Sequence, residues 1–416
     1  MWGGGFVSMQ IFRVGGAVRD RLLNYPSQEN DWVVVGSSPE EMADEGFIPI
    51  GNDFPVFIKP ETGEEYALAR TERSSAKGYA GFTFFTDPKI GLEEDLKRRD
   101  LTINAMAEDN DGNIIDPFNG QRDVESRTLR HVSDAFNEDP VRVLRIARFA
   151  ARYAHMGFTI APETSSLIIE MVREGDLKHL VAERIWKEMS RALSEKSPHV
   201  FIRTLHSLGA LQDTLPELYR LFNETKASTH PLKNNSCEDS LKLLKATSRL
   251  TEKISVRFSA LVYNLGKDPC KDNGLESYAL RSGQCSSIET LCNRLKVPKN
   301  FKNLAMTVSE FCIQSHNCLE LKPIALLQLL KSIGALKSSE KFSDFLTVCS
   351  ADYSCNHSKR DRGYSSSTYL RGALESVLKV SVKDLVASGE AGAAIGLCLE
   401  KRQIDALDHF KHNFTN

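Results

Sequence analysis

The amino-acid sequence predicts an α+β head followed by an all-α remainder. Between Gln10 and Asn119, short β-rich runs alternate with short helical stretches; from about Glu138 to the end the apolar period is almost wholly helical. The length of 416 residues, at roughly 100–200 residues per domain, allows two to four units with ample core. The expected division is a head over 1–137, a helical neck over 138–222, and a helical body and tail over 223–416.

In chain order, residues 1–8 precede the first strand-like run and receive no function. The strand-like runs of the head are QIFRV, DWVVVG, FPVFI, EEYALA, FTFF and GNIID. The helical stretches between them are AVRDRLLN, SPEEMADE and LEEDLKRRDLTINAM. The helical region opens with EDPVRVLRIARFAARYA, continues through PETSSLIIEMVREG and AERIWKEMSRALSE, and runs in amphipathic segments to the C-terminus. Polar stretches at 223–240, 268–287 and 350–366 read as loops. No internal repeat or low-complexity segment occurs.

Composition narrows the function classes. With 41% hydrophobic and 26% charged residues, the chain is neither disordered nor fibrous. Lys+Arg 53 against Asp+Glu 55 gives a net charge of -2, so attraction to nucleic acid must come from a local basic patch. The nine cysteines all follow residue 236 without a CxxC pair, the pattern of reduced thiols and not of a secreted disulfide framework. With no apolar run of membrane length and no signal-peptide pattern, a soluble cytoplasmic protein is expected.

Four constellations carry chemistry. The first is Gly15-Gly16 between a β run and a helix that holds Arg19. Such a turn offers backbone N–H groups to a triphosphate, although many strand-to-helix turns use glycines for geometry alone. The second is Glu29-Asn30-Asp31 at the start of DWVVVG. Carboxylates at i and i+2 of a strand share a face and can converge on divalent cations, or remain solvated surface. With a Gly-Gly turn at this spacing they form the ingredients of two-metal nucleotidyl transfer. The third is Arg98-Arg99-Asp100 with Asn104. On a helix Asp100 and Asn104 are i, i+4 neighbours able to bind one sugar hydroxyl, with the arginines placed for phosphates. The fourth is Glu138-Asp139-Pro140-Val141-Arg142, opening a helix on which Arg142, Arg145, Arg148 and Arg152 spread over about 120° opposite Val143, Ile146, Ala147 and Ala150. It reads as a pocket wall for nucleotide, or as a basic face paired with acids from elsewhere.

Together, GGAVRDRLL…ENDWVVVG, EEYALARTER, EEDLKRRDLTINAMA, IIDPFNG and FNEDPVRVLRIARFAARY resemble the class II CCA-adding tRNA nucleotidyltransferases, of the polymerase-β-type nucleotidyltransferase superfamily. The resemblance runs from about residue 10 to residue 220. It implies a polymerase-β-type nucleotidyltransferase head, with all-α neck, body and tail. It also implies that Gly15, Gly16 and Arg19 bind the incoming nucleotide and that Glu29 and Asp31 hold Mg2+. Arg99 and Asp100 match the ribose-reading motif, Asp139 and Arg142 the amino-acid template, and Arg145 and Arg148 the nucleotide contacts that follow it. C and A both present an exocyclic amino donor beside a ring-nitrogen acceptor, so one Asp and one Arg satisfy either base, whereas U and G leave groups unpaired. The implied substrates are tRNA, CTP and ATP. The family has Asp-x-Asp where this chain has Glu29-Asn30-Asp31; the extra methylene leads us to expect slow but real catalysis.

Relatives often carry an HD phosphohydrolase domain in the C-terminal half. Here Tyr263-Asn264 stands where such a relative shows His-Asp, Cys237 stands near another expected His, and ESYALRSGQC replaces a histidine-rich stretch. The expectation is an HD-like scaffold without its metal or phosphohydrolase activity. His230 and the cluster Lys359-Arg360-Asp361-Arg362 are candidates for bland surface residues, the latter also for a tRNA phosphate contact. Competing readings are a partial CC- or A-adding enzyme, a poly(A) polymerase, and a tRNA-binding protein that has lost catalysis.

Overall fold

Valine-rich β2 sets the architecture of the head. A run buried on both sides suits a strand covered on both faces of a sheet. The computed structural model describes residues 9–26, 30–50, 56–74, 82–223, 236–266, 286–356, 364–381 and 393–414. They fall into two units, Met1–Thr214 and Leu215–Asn416.

In the first unit the strands are β1 (Gln10–Val14), β2 (Asp31–Val35), β3 (Ile48–Ile50), β4 (Val56–Ile58), β5 (Glu65–Leu68), β6 (Arg70–Ser74), β7 (Phe82–Thr86), β8 (Ala107–Glu108) and β9 (Ile114–Ile115), followed by the short pair β10 (Thr128–Leu129) and β11 (Thr159–Ile160). The main sheet is seven-stranded, in the order β3-β4-β5-β2-β1-β8-β9. β1 runs antiparallel to β2 and β8, while β2 runs parallel to β5. Alternation divides the side chains: Phe12, Val14, Val33 and Val35 join one core cluster, Val34, Tyr66 and Leu68 the other, with Ile11 and Trp32 packed against the latter. The FTFF run is a strand as expected, but it pairs with β6 in a separate hairpin.

The helices of this unit are α1 (Gly16–Leu22), α2 (Pro39–Asp44), α3 (Leu92–Lys97), α4 (Gly120–Glu125), α5 (Val141–Tyr153), α6 (Pro162–Glu174), α7 (Ala182–Ser194), α8 (Pro198–Ser207) and α9 (Leu211–Thr214). The expected continuous helix over residues 92–106 is broken. α3 ends at Lys97, Leu101 forms an antiparallel bridge with His131, and a 3-10 turn follows over Thr102–Asn104. The cause is local competition for backbone: the Asp100 carboxylate accepts from the Leu101 N–H at 2.9 Å, and the Thr102 N–H is taken by the Arg130 carbonyl at 2.9 Å. That turn packs directly on α4. A Cβ added at Gly120 would lie 2.4 Å from the Thr102 carbonyl oxygen. Gly120→Ala is therefore expected to destabilise the head by about 1–3 kcal/mol, read from urea unfolding; an unchanged midpoint would contradict this packing.

The second unit is helical: α10 (Pro216–Asn223), α11 (Ser236–Ser248), α12 (Ile254–Val262), α13 (Ser286–Arg294), α14 (Lys299–His316), α15 (Pro323–Ser332), α16 (Ser339–Asn356), α17 (Ser365–Leu378) and α18 (Ala393–Phe414). Its core joins Leu243, Val256, Val308, Leu326, Phe345 and Leu370. Tyr263 belongs to that core, Asn264 donates to Ser240 Oγ at 3.0 Å, and Cys237 is buried. The seven described cysteines are unbridged. His230, the ESYALRSGQC segment and Lys359-Arg360-Asp361-Arg362 lie outside the described residues. Among the described residues, no helix is long and apolar enough to cross a membrane.

Candidate active site

The glycine turn and the acidic strand start meet because β1 and β2 pair in register. Val14 lies opposite Asp31, so the chain leaves β1 at Gly15 beside the carboxylate of Asp31. Gly15 has φ +68°, and a Cβ there would meet Arg99 Nη1 at 2.7 Å; both facts require glycine. The two residues flanking Asp31 share one anchor. Asn30 Nδ2 donates to Glu64 Oε1 at 2.8 Å and Trp32 Nε1 to Glu64 Oε2 at 3.1 Å. Asp31, exposed between them, is thereby turned toward the other face of the strand. Removing this anchor by Glu64→Ala is expected to lower kcat by about 10-fold or more, with KM for nucleotide little changed; an unchanged kcat would show that Asp31 needs no such support.

The turn after α3 supplies a cluster of arginines held by acids. Asp95 is fully buried and binds two of them, Arg98 Nη2 at 2.6 Å and Arg99 Nη2 at 3.2 Å. Burial alone would raise the Asp95 carboxyl, but the Arg99 and Arg98 guanidiniums hold it below the usual carboxylate range. Asp100 accepts from Asn104 Nδ2 at 2.9 Å and pairs with Arg145 Nε at 2.7 Å. The Asp100–Asn104 contact expected along a helix is thus made across a bend. Burial is again outweighed at Asp100, by Arg145 and by the hydrogen bonds from Asn104 and Arg145, and its pKa lies well below the usual range. Arg19 donates to Asn104 Oδ1 and to Asp20 Oδ1, with its guanidinium carbon 5.2 Å from the Phe149 ring centre.

Depressed carboxylate pKa values fix a pH dependence. The stabilisation they bring is complete above the unfolded value near 3.9 and is lost as pH falls through the folded values. Wild-type stability is expected to drop steeply below about pH 4, and Asp100→Asn to flatten part of that slope; an identical acid limb in urea titrations would contradict the Asp100 assignment.

α5 is buried almost all round, not one-sided. Val143, Ile146, Ala147 and Ala150 pack inward as expected, while Arg145, Arg148 and Arg152 reach acids supplied by other elements. Arg148 Nε pairs with Glu188 at 2.7 Å, and Arg152 Nη2 lies 3.5 Å from Asp20. Arg142 donates to the carbonyls of Ala135 at 2.9 Å and Arg98 at 2.7 Å. At the helix start Asp139 Oδ1 accepts from the Val141 N–H at 3.1 Å, and Asp139 Oδ2 pairs with Arg184 Nη2 at 2.7 Å. Burial raises the Glu195 carboxyl above its usual range against the pull of Arg152 and Arg148.

Many of these side chains line a cavity of about 730 Å³ within the first unit. Gly15, Gly16, Arg19, Asp31, Arg99, Asp100, Asp139, Arg142, Arg145 and Arg148 all line it. Arg70, Arg98, Asn104, Arg152, Arg184, Arg191 and Glu195 line it as well. Of these, the sequence reading did not single out Arg70, Arg184, Arg191 or Glu195. The RTER and AERIWKEMSRALSE segments carried basic residues at helical or strand spacing, but nothing local told them from solvated faces. Glu29 lies outside the described residues.

Two family models match. Residues 11–130 match the poly A polymerase head domain, and residues 157–221 the probable RNA and SrmB-binding site of polymerase A. A multifunctional CCA protein of Teredinibacter turnerae is 48% identical over 97% of this chain and 98% of its own length. The chain belongs to the multifunctional CCA protein family. Another member, from Pseudomonas aeruginosa, is 45% identical over 97% of this chain and 98% of its own. Among solved structures, the Bacillus stearothermophilus CCA-adding enzyme in complex with CTP superposes with a TM-score of 0.65 at 23% identity, covering 97% of this chain and 89% of that one. The Thermotoga maritima CCA-adding enzyme complexed with tRNA gives 0.63 at 22% identity, over 96% and 88%. These likenesses support the expected fold, a polymerase-β-type head with a helical remainder. Membership makes the chain a tRNA nucleotidyltransferase, a class that depends on a divalent metal. The exposed oxygen donors of Asp31 at the cavity fit such an ion.

Proposed function

We propose that this chain builds and repairs the 3′-terminal CCA of tRNA in the cytoplasm, adding C, C and A from CTP and ATP and releasing pyrophosphate without a nucleic-acid template. The observation that carries the reading is the convergence, in one basic cavity, of the Gly15-Gly16 turn, Asp31, the Arg99-Asp100 turn and the Asp139–Arg142 helix start.

The 3′-hydroxyl oxygen of tRNA forms a new bond to the α-phosphorus of the nucleotide as the bond to the bridging oxygen breaks, and pyrophosphate departs. Asp31, together with Glu29 as expected from the sequence, would hold a divalent ion, Mg2+ in this reading, which would supply charge neutralisation at the reacting phosphate. Arg19, Arg99, Arg145 and Arg148 bind the anionic nucleotide. Their acid partners, Asp20, Asp95, Asp100 and Glu188, hold them in place beforehand, so little reorganisation accompanies the reaction. Asp100 and Asn104 receive a ribose hydroxyl. Asp139 and Arg142 read the base, one as acceptor and one as donor, with Arg184 orienting the Asp139 carboxylate. A cytosine or adenine satisfies both; uracil or guanine leaves buried groups unpaired.

The test uses tRNA transcripts ending before CCA, after C and after CC, incubated with CTP, ATP and Mg2+, followed by sequencing of the 3′ ends. Ordered addition of C, C and A is the expected result. Addition of C only, of A only, or of long A tails would overturn the reading, as would no extension of transcripts that still bind.

A further inference from the structure

One end of the cavity holds an acid for which the proposed reaction has no task. Among the described residues, four acids line the cavity: Asp31, Asp100, Asp139 and Glu195. The first three serve the metal, the ribose and the base in the reading above. Glu195 caps the C-terminus of α7, where its backbone N–H donates to the Ala192 carbonyl at 3.2 Å. Its place relative to a bound nucleotide follows from α5. Arg148 and Arg152 stand about 9 and 15 Å beyond Arg142 along the helix axis, at about 1.5 Å per residue. With the base at Asp139 and Arg142 and the ribose at Asp100, which Arg145 holds, the far end of α5 falls to the phosphate tail.

The arginines at that end are held from behind by other acids. Asp20 accepts from Arg19 Nε at 2.9 Å and from Tyr153 Oη at 3.0 Å, and Glu188 accepts from Arg148 Nε at 2.7 Å. Both of these acids stand outside the cavity lining. Glu195 differs on each count. It lines the cavity, and its Oε1 lies 3.8 Å from Nη1 of Arg148, an ion pair looser than a hydrogen bond and on the opposite side of the guanidinium from no acid that the reaction uses. The charges of Arg152 and Arg148 act on it together.

We propose that Glu195 is a placeholder for the terminal phosphate of the nucleotide: its carboxylate lies against the arginines that bind the phosphate tail, so that the triphosphate must displace it on entry and its return loosens pyrophosphate on exit. The inference rests on the proposed nucleotidyl transfer and concerns the same cavity. Two anions cannot share one set of guanidinium donors without repulsion, which is strong where water is scarce. Burial works in the same direction, since it raises the Glu195 carboxyl against the pull of Arg152 and Arg148 and leaves its ionised form less firmly held than those of Asp95 and Asp100. The benefit is release. Arginines unopposed by such an acid would grip substrate and pyrophosphate alike, and binding of that uniform kind adds nothing to kcat.

The experiment measures binding of labelled CTP to the full-length protein by equilibrium dialysis with Mg2+ and without tRNA, and its competition by inorganic pyrophosphate and by CMP, in wild type and Glu195→Gln. The variant is expected to bind CTP and pyrophosphate about 5-fold or more tightly, with competition by CMP unchanged because CMP has no phosphate tail. Circular dichroism reports folding; should Glu195→Gln not fold, Glu195→Ala carries the same comparison. Weaker binding of CTP in the variant would make Glu195 a support for the arginines, and an equal gain for CMP would reduce its effect to the general field of the cavity. Either result, or no change, would overturn this inference alone. A wild-type protein that binds no CTP would overturn the reading of the cavity on which it rests.

Discussion

Asp31→Ala is expected to lower kcat for nucleotide addition by roughly 1000-fold. The reason lies in where the side chain stands. Asp31 opens β2, is exposed, lines the cavity, and is held between two residues that share the Glu64 anchor. Its side chain is exposed, so its loss should change stability by no more than about 0.5 kcal/mol. A large rate effect with an unchanged unfolding midpoint separates a chemical role from a structural one. Steady-state kinetics with CTP and a transcript lacking CCA measure the first quantity and urea titration the second. A fall of less than 10-fold would remove Asp31 from the reaction and with it the reading of the cavity as a catalytic centre.

Glu188→Ala acts through the opposite balance. Arg148 and Glu188 are both nearly buried, paired at 2.7 Å, and the Arg148 guanidinium also lies 4.5 Å from the Phe149 ring centre. Removing the carboxylate leaves a buried guanidinium whose next acid, Glu195, is 3.8 Å away. Breaking one side of such a pair costs about 3–5 kcal/mol, most of it from the charge left behind. The transition that involves the head should therefore move to markedly lower urea. Because Arg148 lines the cavity, KM for both CTP and ATP should rise together. Glu188→Gln, which keeps an acceptor but not the charge, should show a smaller loss. A change below about 1 kcal/mol in the alanine variant would mean that the pair does not hold the pocket wall.

The contrast between these two residues also shows what a single sequence discloses. Asp31, the Gly15-Gly16 turn, Arg99-Asp100 and the Asp139–Arg142 helix start were legible because each motif is local: its meaning follows from strand or helix spacing within a few residues. Glu188, Asp95 and Arg184 were not. They act across the fold, Glu188 forty residues from Arg148 and Arg184 forty-five from Asp139, and no periodicity marks such a partner. The arginine face of α5 could be read from its spacing, yet whether it meets phosphate or acid depended on elements packed around it. Likewise the helix break after Lys97 combines the Asp100 carboxylate on the Leu101 N–H with tertiary contacts from Arg130 and His131 that override a helical pattern.

In the proposed reaction one cavity serves both nucleotides, with Asp139 and Arg142 selecting cytosine and adenine in turn. Equilibrium dialysis of the full-length protein with labelled CTP and labelled ATP, each alone and then together, tests it directly. One nucleotide bound per chain is expected in every case, each displacing the other, with UTP and GTP failing to compete. Simultaneous binding of CTP and ATP to one chain would contradict it.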